Sequence, residues 1–172
     1  LDAYSLIEKL GDLNGKKIAI VGDVLHSRVA LSNIFILRAL GADIKLCAPK
    51  SLLPKHIESL GVKVSDDLIQ TLKWCDAVNM LRIQNERTDI NFFPSTREYS
   101  RLYGLDKVKF EKIKKDILIL HPGPINRGVE ITSDIADSKY AIILDQVENG
   151  VAIRMAIIYL LASKLKMIDY DY

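Results

Sequence analysis

Short apolar segments alternate with helical segments along the chain, and this alternation restricts the possible folds more than any other feature. Strands are predicted at 16–21, 44–48, 62–64, 77–81 and 117–120. Apolar residues at helical spacing predict helices near 1–10, 27–40, 54–60, 66–72, 107–114 and 145–166, and the polar stretch from 82 to about 100 is predicted as a long loop. Strands this short and this apolar indicate a parallel sheet covered on both faces.

The pattern predicts an α/β fold, a Rossmann-like three-layer domain with a five-stranded parallel sheet and helices on both faces. The 172 residues are enough for one such domain with its own core. The net charge is +2 and the basic residues are scattered, so no nucleic-acid partner is indicated. The first residues lack a basic stretch followed by an apolar one, so we expect no secretory signal there. The longest apolar run near the C-terminus, 156–162, is too short to cross a bilayer. Cys47 and Cys75 lie beside apolar segments, which predicts reduced core thiols in a cytoplasmic protein.

Ligands of open parallel sheets bind beyond the carboxyl ends of the strands, so the segments after the first, fourth and fifth predicted strands are candidate sites. The first segment reads GDVLHSR at 22–28. It lacks the glycines of the dinucleotide-binding fingerprint, which argues against a nucleotide binder. Arg28 opens a helix, where its guanidinium and the backbone N–H groups could converge on an anion. A solvated surface arginine fits the spacing equally well.

The second segment reads RIQNER at 82–87. If the chain stays extended there, Arg82 and Gln84 project to the same side. A planar guanidinium beside an amide suits a carboxylate ligand. A polar loop whose charges pair with Glu86 and Asp89 explains the same residues and, for this segment alone, is slightly preferred.

The third segment reads HPGPINRGVE at 121–130. Two prolines around a glycine restrict the backbone and remove amide donors. This favours a rigid turn whose carbonyls accept hydrogen bonds from an amine. An ordinary Pro-Gly turn at the end of a strand is the plainer alternative.

Together, these three motifs resemble the second domain of the aspartate carbamoyltransferases in their order and separation. The resemblance extends over nearly the whole chain, and the string at 121–130 is its most specific part. It implies that Arg28, Arg82 and Gln84 hold the two carboxylates of L-aspartate. It also implies that the backbone carbonyls of Gly123 and Pro124 orient the amine.

The resemblance assigns supporting roles to four more residues and a catalytic role to none in this half of the family protein. His26 and Ser27 would shape the first loop, and Arg87 would brace a loop that closes over the substrate. His121 is expected to hydrogen-bond locally. No metal or organic cofactor is implied.

The reaction implied by the resemblance joins L-aspartate to carbamoyl phosphate, giving N-carbamoyl-L-aspartate and phosphate for pyrimidine synthesis. In the family an N-terminal domain binds carbamoyl phosphate through Ser-Thr-Arg-Thr and His-Pro-Thr-Gln motifs, and this chain shows neither in that context. We therefore expect residues 1–172 to be the aspartate-binding domain alone, inactive without the other half. The resemblance also implies a homo-oligomer, trimeric in the family, with dihydroorotase or regulatory chains as further candidate partners.

The last predicted helix is apolar on nearly every face, which is typical of a helix buried all round. One five-stranded sheet can cover only part of it. We therefore expect an exposed apolar patch, to which the first helix contributes, and association of the isolated chain or cover from another chain.

Two alternatives to the aspartate enzyme remain. One is a non-catalytic amino-acid-binding or interaction module of the same fold. The other is an ornithine-type carbamoyltransferase, whose corresponding turn resembles His-Cys-Leu-Pro. This chain has Pro122 and Gly123 at those positions and no cysteine nearby. Two arginines would also repel a cationic side chain, so both observations favour aspartate.

Overall fold

The computed structural model describes residues 1–83 and 95–168, with side chains in the last helix described as far as residue 164. Its strands are β1 (Lys17–Val21), β2 (Asp43–Cys47), β3 (Lys63–Ser65), β4 (Ala77–Met80) and β5 (Leu118–Leu120). They form one parallel sheet in the order β3-β2-β1-β4-β5. This arrangement confirms the predicted α/β class and the five-stranded parallel sheet.

Seven helices connect or flank these strands in the described parts of the chain. They are α1 (Asp2–Leu10), α2 (Arg28–Ala39), α3 (Leu68–Trp74), α4 (Thr96–Tyr103), α5 (Lys107–Ile113), α6 (Ser133–Ala136) and α7 (Ile143–Ile168). Side-chain oxygens of Ser27, Asp67, Ser95 and Asp106 accept hydrogen bonds from the first turns of α2, α3, α4 and α5. Such caps satisfy backbone N–H groups that have no partner within the helix.

Alternate residues of each strand point to opposite faces of the sheet and build two separate cores. In β1, Ile18 and Ile20 pack with α1 and α2, whereas Ala19 and Val21 pack with α3, α4 and α5. All four side chains are almost completely buried. The fold therefore has the predicted three layers, with a helical layer on each face of the sheet.

Two local predictions were wrong, and one short helix was missed. The segment predicted as a helix at 54–60 forms a 3₁₀ turn at Ile57–Leu60 instead. The predicted loop from 82 to about 100 already contains the start of α4, which runs from Thr96 to Tyr103. The short helix α6 was not predicted. With only four residues, α6 carries too few apolar repeats for periodicity to identify it.

The exposed patch predicted for the first and last helices is confirmed. On α7, Ile158 is 66% exposed and Tyr159 is 74% exposed, and most other described apolar side chains beyond residue 150 are open to solvent. On α1, which packs against the start of α7, Tyr4 and Ile7 are exposed. Among the described residues, no helix combines the length and apolarity needed to cross a membrane.

Candidate functional site

The three candidate segments begin side by side at the carboxyl edge of the sheet. In the sheet register Val21 lies beside Met80, and Asn79 lies beside Leu120. The Leu81 N–H donates to the Val21 carbonyl at 2.8 Å, so β1 and β4 stay paired up to the point where both loops begin. The fold thus brings together segments that lie about 40 to 100 positions apart in the sequence.

Tight packing determines the course of the loop after β1. Gly22 has φ 120°, and a Cβ there would lie 2.9 Å from the Tyr99 hydroxyl and 3.2 Å from the Leu81 carbonyl oxygen. Only glycine combines that backbone angle with the missing side chain. Tyr99 is buried beneath the loop, and its burial raises the pKa of its phenol well above the usual value.

The remainder of this loop is held by its own side chains. The buried carboxylate of Asp23 accepts hydrogen bonds from the His26 backbone N–H at 3.2 Å and lies 2.8 Å from His26 Nδ1. Ser27 caps α2 by accepting a hydrogen bond from the Ala30 N–H. Arg28 follows as the first helical residue and is exposed. The loop therefore presents Arg28 on a rigid base at the sheet edge.

The segment after β4 is fastened to the loop after β5. The Ile83 N–H donates to Glu130 Oε1 at 2.8 Å, and the Ile83 carbonyl accepts a hydrogen bond from Asn126 Nδ2 at 3.3 Å. Arg82, the residue before, is partly buried. Gln84 and Arg87, two of the predicted site residues, lie outside the described residues.

Glu130 is the central polar residue of this region. Its side chain is fully buried and accepts hydrogen bonds from Ile83, from the Asn126 N–H at 3.0 Å and from Asn126 Nδ2 at 2.7 Å. Burial by itself raises the pKa of Glu130. The His121 imidazole 3.8 Å away, the Ile83 amide and Asn126 outweigh that effect, so the pKa lies below the usual value for glutamate. A buried, ionised carboxylate thus joins two of the three loops.

The turn at 121–124 is ordered by His121. The imidazole is buried, and its Nδ1 accepts a hydrogen bond from the Gly123 N–H at 3.0 Å, so the expected local hydrogen bond is present. Because Nδ1 acts as the acceptor, a neutral ring carries its proton on Nε2, the atom that faces Glu130. Gly123 and Pro124 are exposed and joined by a cis peptide bond.

Not every charged residue of the third motif faces the candidate site. Arg127 forms a bidentate ion pair with Asp137, with both N–O distances at 2.8 Å. This arrangement raises the pKa of Arg127 through its hydrogen bonds to Asp137 and lowers the pKa of Asp137 in return. Arg127 therefore stabilises the loop rather than supplying a free cation.

Sequence reasoning placed Arg28, Arg82, Gly123 and Pro124 after the correct strands, and the structure puts all three segments on one edge of the sheet. Their contacts with a substrate remain a prediction. The bracing role of Glu130 was missed, although its place in the third motif was noted. The packing of Tyr99 against the first loop was also missed, because it lay in the supposed loop region. Among the described residues, no group of three or more His, Cys, Asp or Glu side chains could hold a metal ion.

The fold and the loops at its carboxyl edge match a known domain type. The family model for the aspartate/ornithine carbamoyltransferase Asp/Orn binding domain matches residues 14–161. This chain belongs to the aspartate/ornithine carbamoyltransferase family and contains its amino-acid-binding domain.

Curated relatives of high identity point to one branch of the family. The chain is 69% identical over 166 residues to the aspartate carbamoyltransferase catalytic subunit of Christiangramia forsetii, covering 96% of this chain and 54% of that protein. It is 67% identical to the subunit of the same name from Flavobacterium psychrophilum, again covering 96% and 54%. The chain thus spans about half the length of the curated relatives that it matches.

Solved structures support the same family assignment. The catalytic subunit of M. jannaschii aspartate transcarbamoylase matches with a TM-score of 0.76 at 30% identity, covering 95% of this chain and 55% of that one. The ornithine carbamoyltransferase from Pyrococcus furiosus matches with a TM-score of 0.72 at 25% identity, covering 86% and 50%. The backbone fold is therefore shared by both branches of the family.

Proposed function

We propose that this chain is the aspartate-binding part of an aspartate carbamoyltransferase, which acts in pyrimidine synthesis when complete. Arg28, Arg82 and Gln84 hold the two carboxylates of L-aspartate. The backbone carbonyls of Gly123 and Pro124 accept hydrogen bonds from its amine. The single observation that carries the proposal is the Glu130 bridge, because it ties the segment carrying Arg82 to the loop carrying the amine-binding turn.

The chemistry follows from this arrangement. The neutral amine attacks the carbonyl carbon of carbamoyl phosphate, and the resulting tetrahedral intermediate loses phosphate as the amine gives up a proton. The products are N-carbamoyl-L-aspartate and phosphate. The contribution of this domain is to position the nucleophile, which converts a bimolecular step into one within a single complex.

The half that binds carbamoyl phosphate is supplied from outside residues 1–172, so this chain alone is inactive. The exposed apolar side chains of α1 and α7 are the surface that such a half, or a second chain, would cover. The complete enzyme is a cytoplasmic homo-oligomer in this proposal, with a trimeric catalytic unit. Regulatory or dihydroorotase chains are further candidate partners.

Calorimetric titration tests which ligands the site binds. L-aspartate and succinate should bind and ornithine should not, both to this chain and to the chain completed with the remaining half of a relative. Arg82→Ala should weaken succinate binding by roughly 30-fold or more, because a charge-assisted pair between the guanidinium and a carboxylate is lost. Arg127→Ala is the matched control, since Arg127 already pairs with Asp137. The affinity of this variant for succinate should match that of the parent chain.

Three outcomes would contradict parts of the proposal. Binding of ornithine in preference to dicarboxylates would place the chain in the other branch of the family. Absence of carbamoyl transfer after the chain is completed would favour a non-catalytic module. A normal rate of transfer by residues 1–172 alone would refute the claim that this half is inactive.

A further inference from the structure

A chain of buried polar side chains runs from α1 through α7 to the turn at 121–124. It begins at Asp2, which is 5% exposed. Asp2 Oδ2 accepts hydrogen bonds from Asn33 Nδ2 at 2.6 Å and Asn79 Nδ2 at 3.0 Å. Asp2 Oδ1 accepts a hydrogen bond from Gln146 Nε2 at 2.9 Å. One carboxylate thus joins α1, α2, β4 and α7.

Gln146 carries this network to the candidate site. Its Oε1 accepts a hydrogen bond from the His121 backbone N–H at 3.0 Å, and the side chain is only 3% exposed. The His121 backbone N–H can only donate, so the amide oxygen of Gln146 faces His121 and its nitrogen is left to donate to Asp2 Oδ1. Asp2 therefore helps to hold Gln146 in the orientation in which its oxygen meets the first residue of the turn.

The two ring nitrogens of His121 face other groups. Its Nδ1 accepts the Gly123 N–H, and its Nε2 lies 3.8 Å from Glu130. Gln146 is therefore the contact through which α7 and α1 set the backbone position where the turn begins. A displacement of His121 would carry the Gly123 and Pro124 carbonyls with it.

We propose that Gln146, oriented by Asp2, is a positioning residue for the amine-binding turn. The inference rests on the proposed function, in which the carbonyls of Gly123 and Pro124 orient the amine of L-aspartate. It makes a specific claim about selectivity. Loss of the Gln146 contact should impair recognition of the amine and leave recognition of the carboxylates largely intact.

Succinate separates these two effects because it has both carboxylates and no amine. In Gln146→Leu, the dissociation constant for L-aspartate should rise about tenfold relative to that for succinate, since small displacements of a positioning group are costly. A general loss of stability would weaken both ligands alike and leave their ratio unchanged. Titrations use the chain completed with the remaining half of a relative, with parent and variant measured together.

Asn149→Ala is the matched control. Asn149 lies on the same helix and also reaches α1, donating to Ser5 Oγ and Glu8 Oε2, both at 3.0 Å. Its substitution loosens the packing of α1 against α7 without touching His121. The ratio of the two dissociation constants should stay at the parent value.

Moving the negative charge from position 2 to position 146 should restore the parent ratio of the two dissociation constants. Gln146→Glu alone places a second carboxylate beside Asp2, and the ratio should rise as in Gln146→Leu. In the pair Asp2→Asn/Gln146→Glu, the new amide nitrogen at position 2 donates to position 146, and its oxygen still accepts from Asn33 and Asn79. The carboxylate at position 146 still accepts from His121. The pair should return the ratio to within about twofold of the parent.

The outcomes distinguish this inference from the function on which it rests. If the completed parent binds neither ligand, the proposed function fails. If the parent binds both and Gln146→Leu keeps the parent ratio, Gln146 has no positioning role and the aspartate site stands without it. Should Gln146→Leu fail to fold, the near-isosteric Gln146→Glu decides the question, because an unchanged ratio there overturns the inference as well.

Discussion

Replacing Glu130 with glutamine tests the bridge between the loops most directly, because the two side chains have the same shape. Glutamine must put an amide nitrogen in place of one carboxylate oxygen. If the nitrogen takes the Oε2 place, it faces the Asn126 N–H that now donates to that oxygen at 3.0 Å. If it takes the Oε1 place, the hydrogen bonds from Ile83 and Asn126 Nδ2 are both lost.

The less costly orientation loses one hydrogen bond and leaves buried donors facing each other. A hydrogen bond to a charged group contributes about 1.5–3 kcal/mol, and an unsatisfied buried donor costs about 1–3 kcal/mol. Removing a buried charge relieves part of this cost. We therefore expect Glu130→Gln to lower the free energy of unfolding by about 3 kcal/mol, with weaker L-aspartate binding because the segment of Arg82 loses its anchor.

Urea unfolding at pH 7 and constant protein concentration measures the loss of stability. Asp137→Asn is the control, since it breaks an ion pair of the same loop that is open to solvent, and its effect should be much smaller. If the two variants unfold at the same urea concentration, the bridge does not stabilise the fold and the reasoning is refuted.

We also predict how the effect of Glu130→Gln on the free energy of unfolding depends on pH. The pKa of Glu130 in the folded chain lies below its ordinary value of 4.5. The unfolded chain therefore takes up this proton first as the pH falls, so the stabilisation is complete above the ordinary pKa and is lost as the pH drops through the folded pKa. The difference in stability between parent and Glu130→Gln should shrink below about pH 4.5. A difference that stays constant from pH 7 downward would contradict this explanation.

Three further predictions concern packing, reactivity and association. Gly22→Ala should destabilise the chain by about 2 kcal/mol or more in urea unfolding, because the new methyl group would lie 2.9 Å from the buried Tyr99 hydroxyl. Gly123→Ala is the control: its methyl group would meet no atom within 4 Å, so it should cost about 1 kcal/mol for the positive φ alone. Equal losses would contradict the packing argument. Burial raises the pKa of Cys47 and Cys75 to about 12, so a thiol reagent at pH 8 should label them only after unfolding, and rapid labelling of the folded chain would argue against their burial. Ile158→Lys should weaken concentration-dependent association in sedimentation experiments, since this side chain is 66% exposed on α7, and an unchanged oligomer distribution would exclude that face.

The strands and the loops after them could be predicted from the sequence because both depend on local patterns. The apolar run at 16–21 becomes β1, and the Pro-Gly string at 121–124 becomes the turn that ends β5. The rule that parallel strands present their carboxyl ends at one edge then placed Arg28 and Arg82 near that turn. The exposure of α7 was also predictable, since one sheet cannot cover a helix that is apolar all round.

Tertiary structure alone decided which side chains hold those loops in place. Glu130 lies 47 positions from Ile83, and Gln146 lies 144 positions from Asp2, so no local sequence pattern indicates either contact. A glutamate near an asparagine is compatible with an exposed loop as well as with a buried bridge. Burial, which depends on the complete fold, makes these polar groups find partners, because an unpaired polar group is costly only where water cannot reach it.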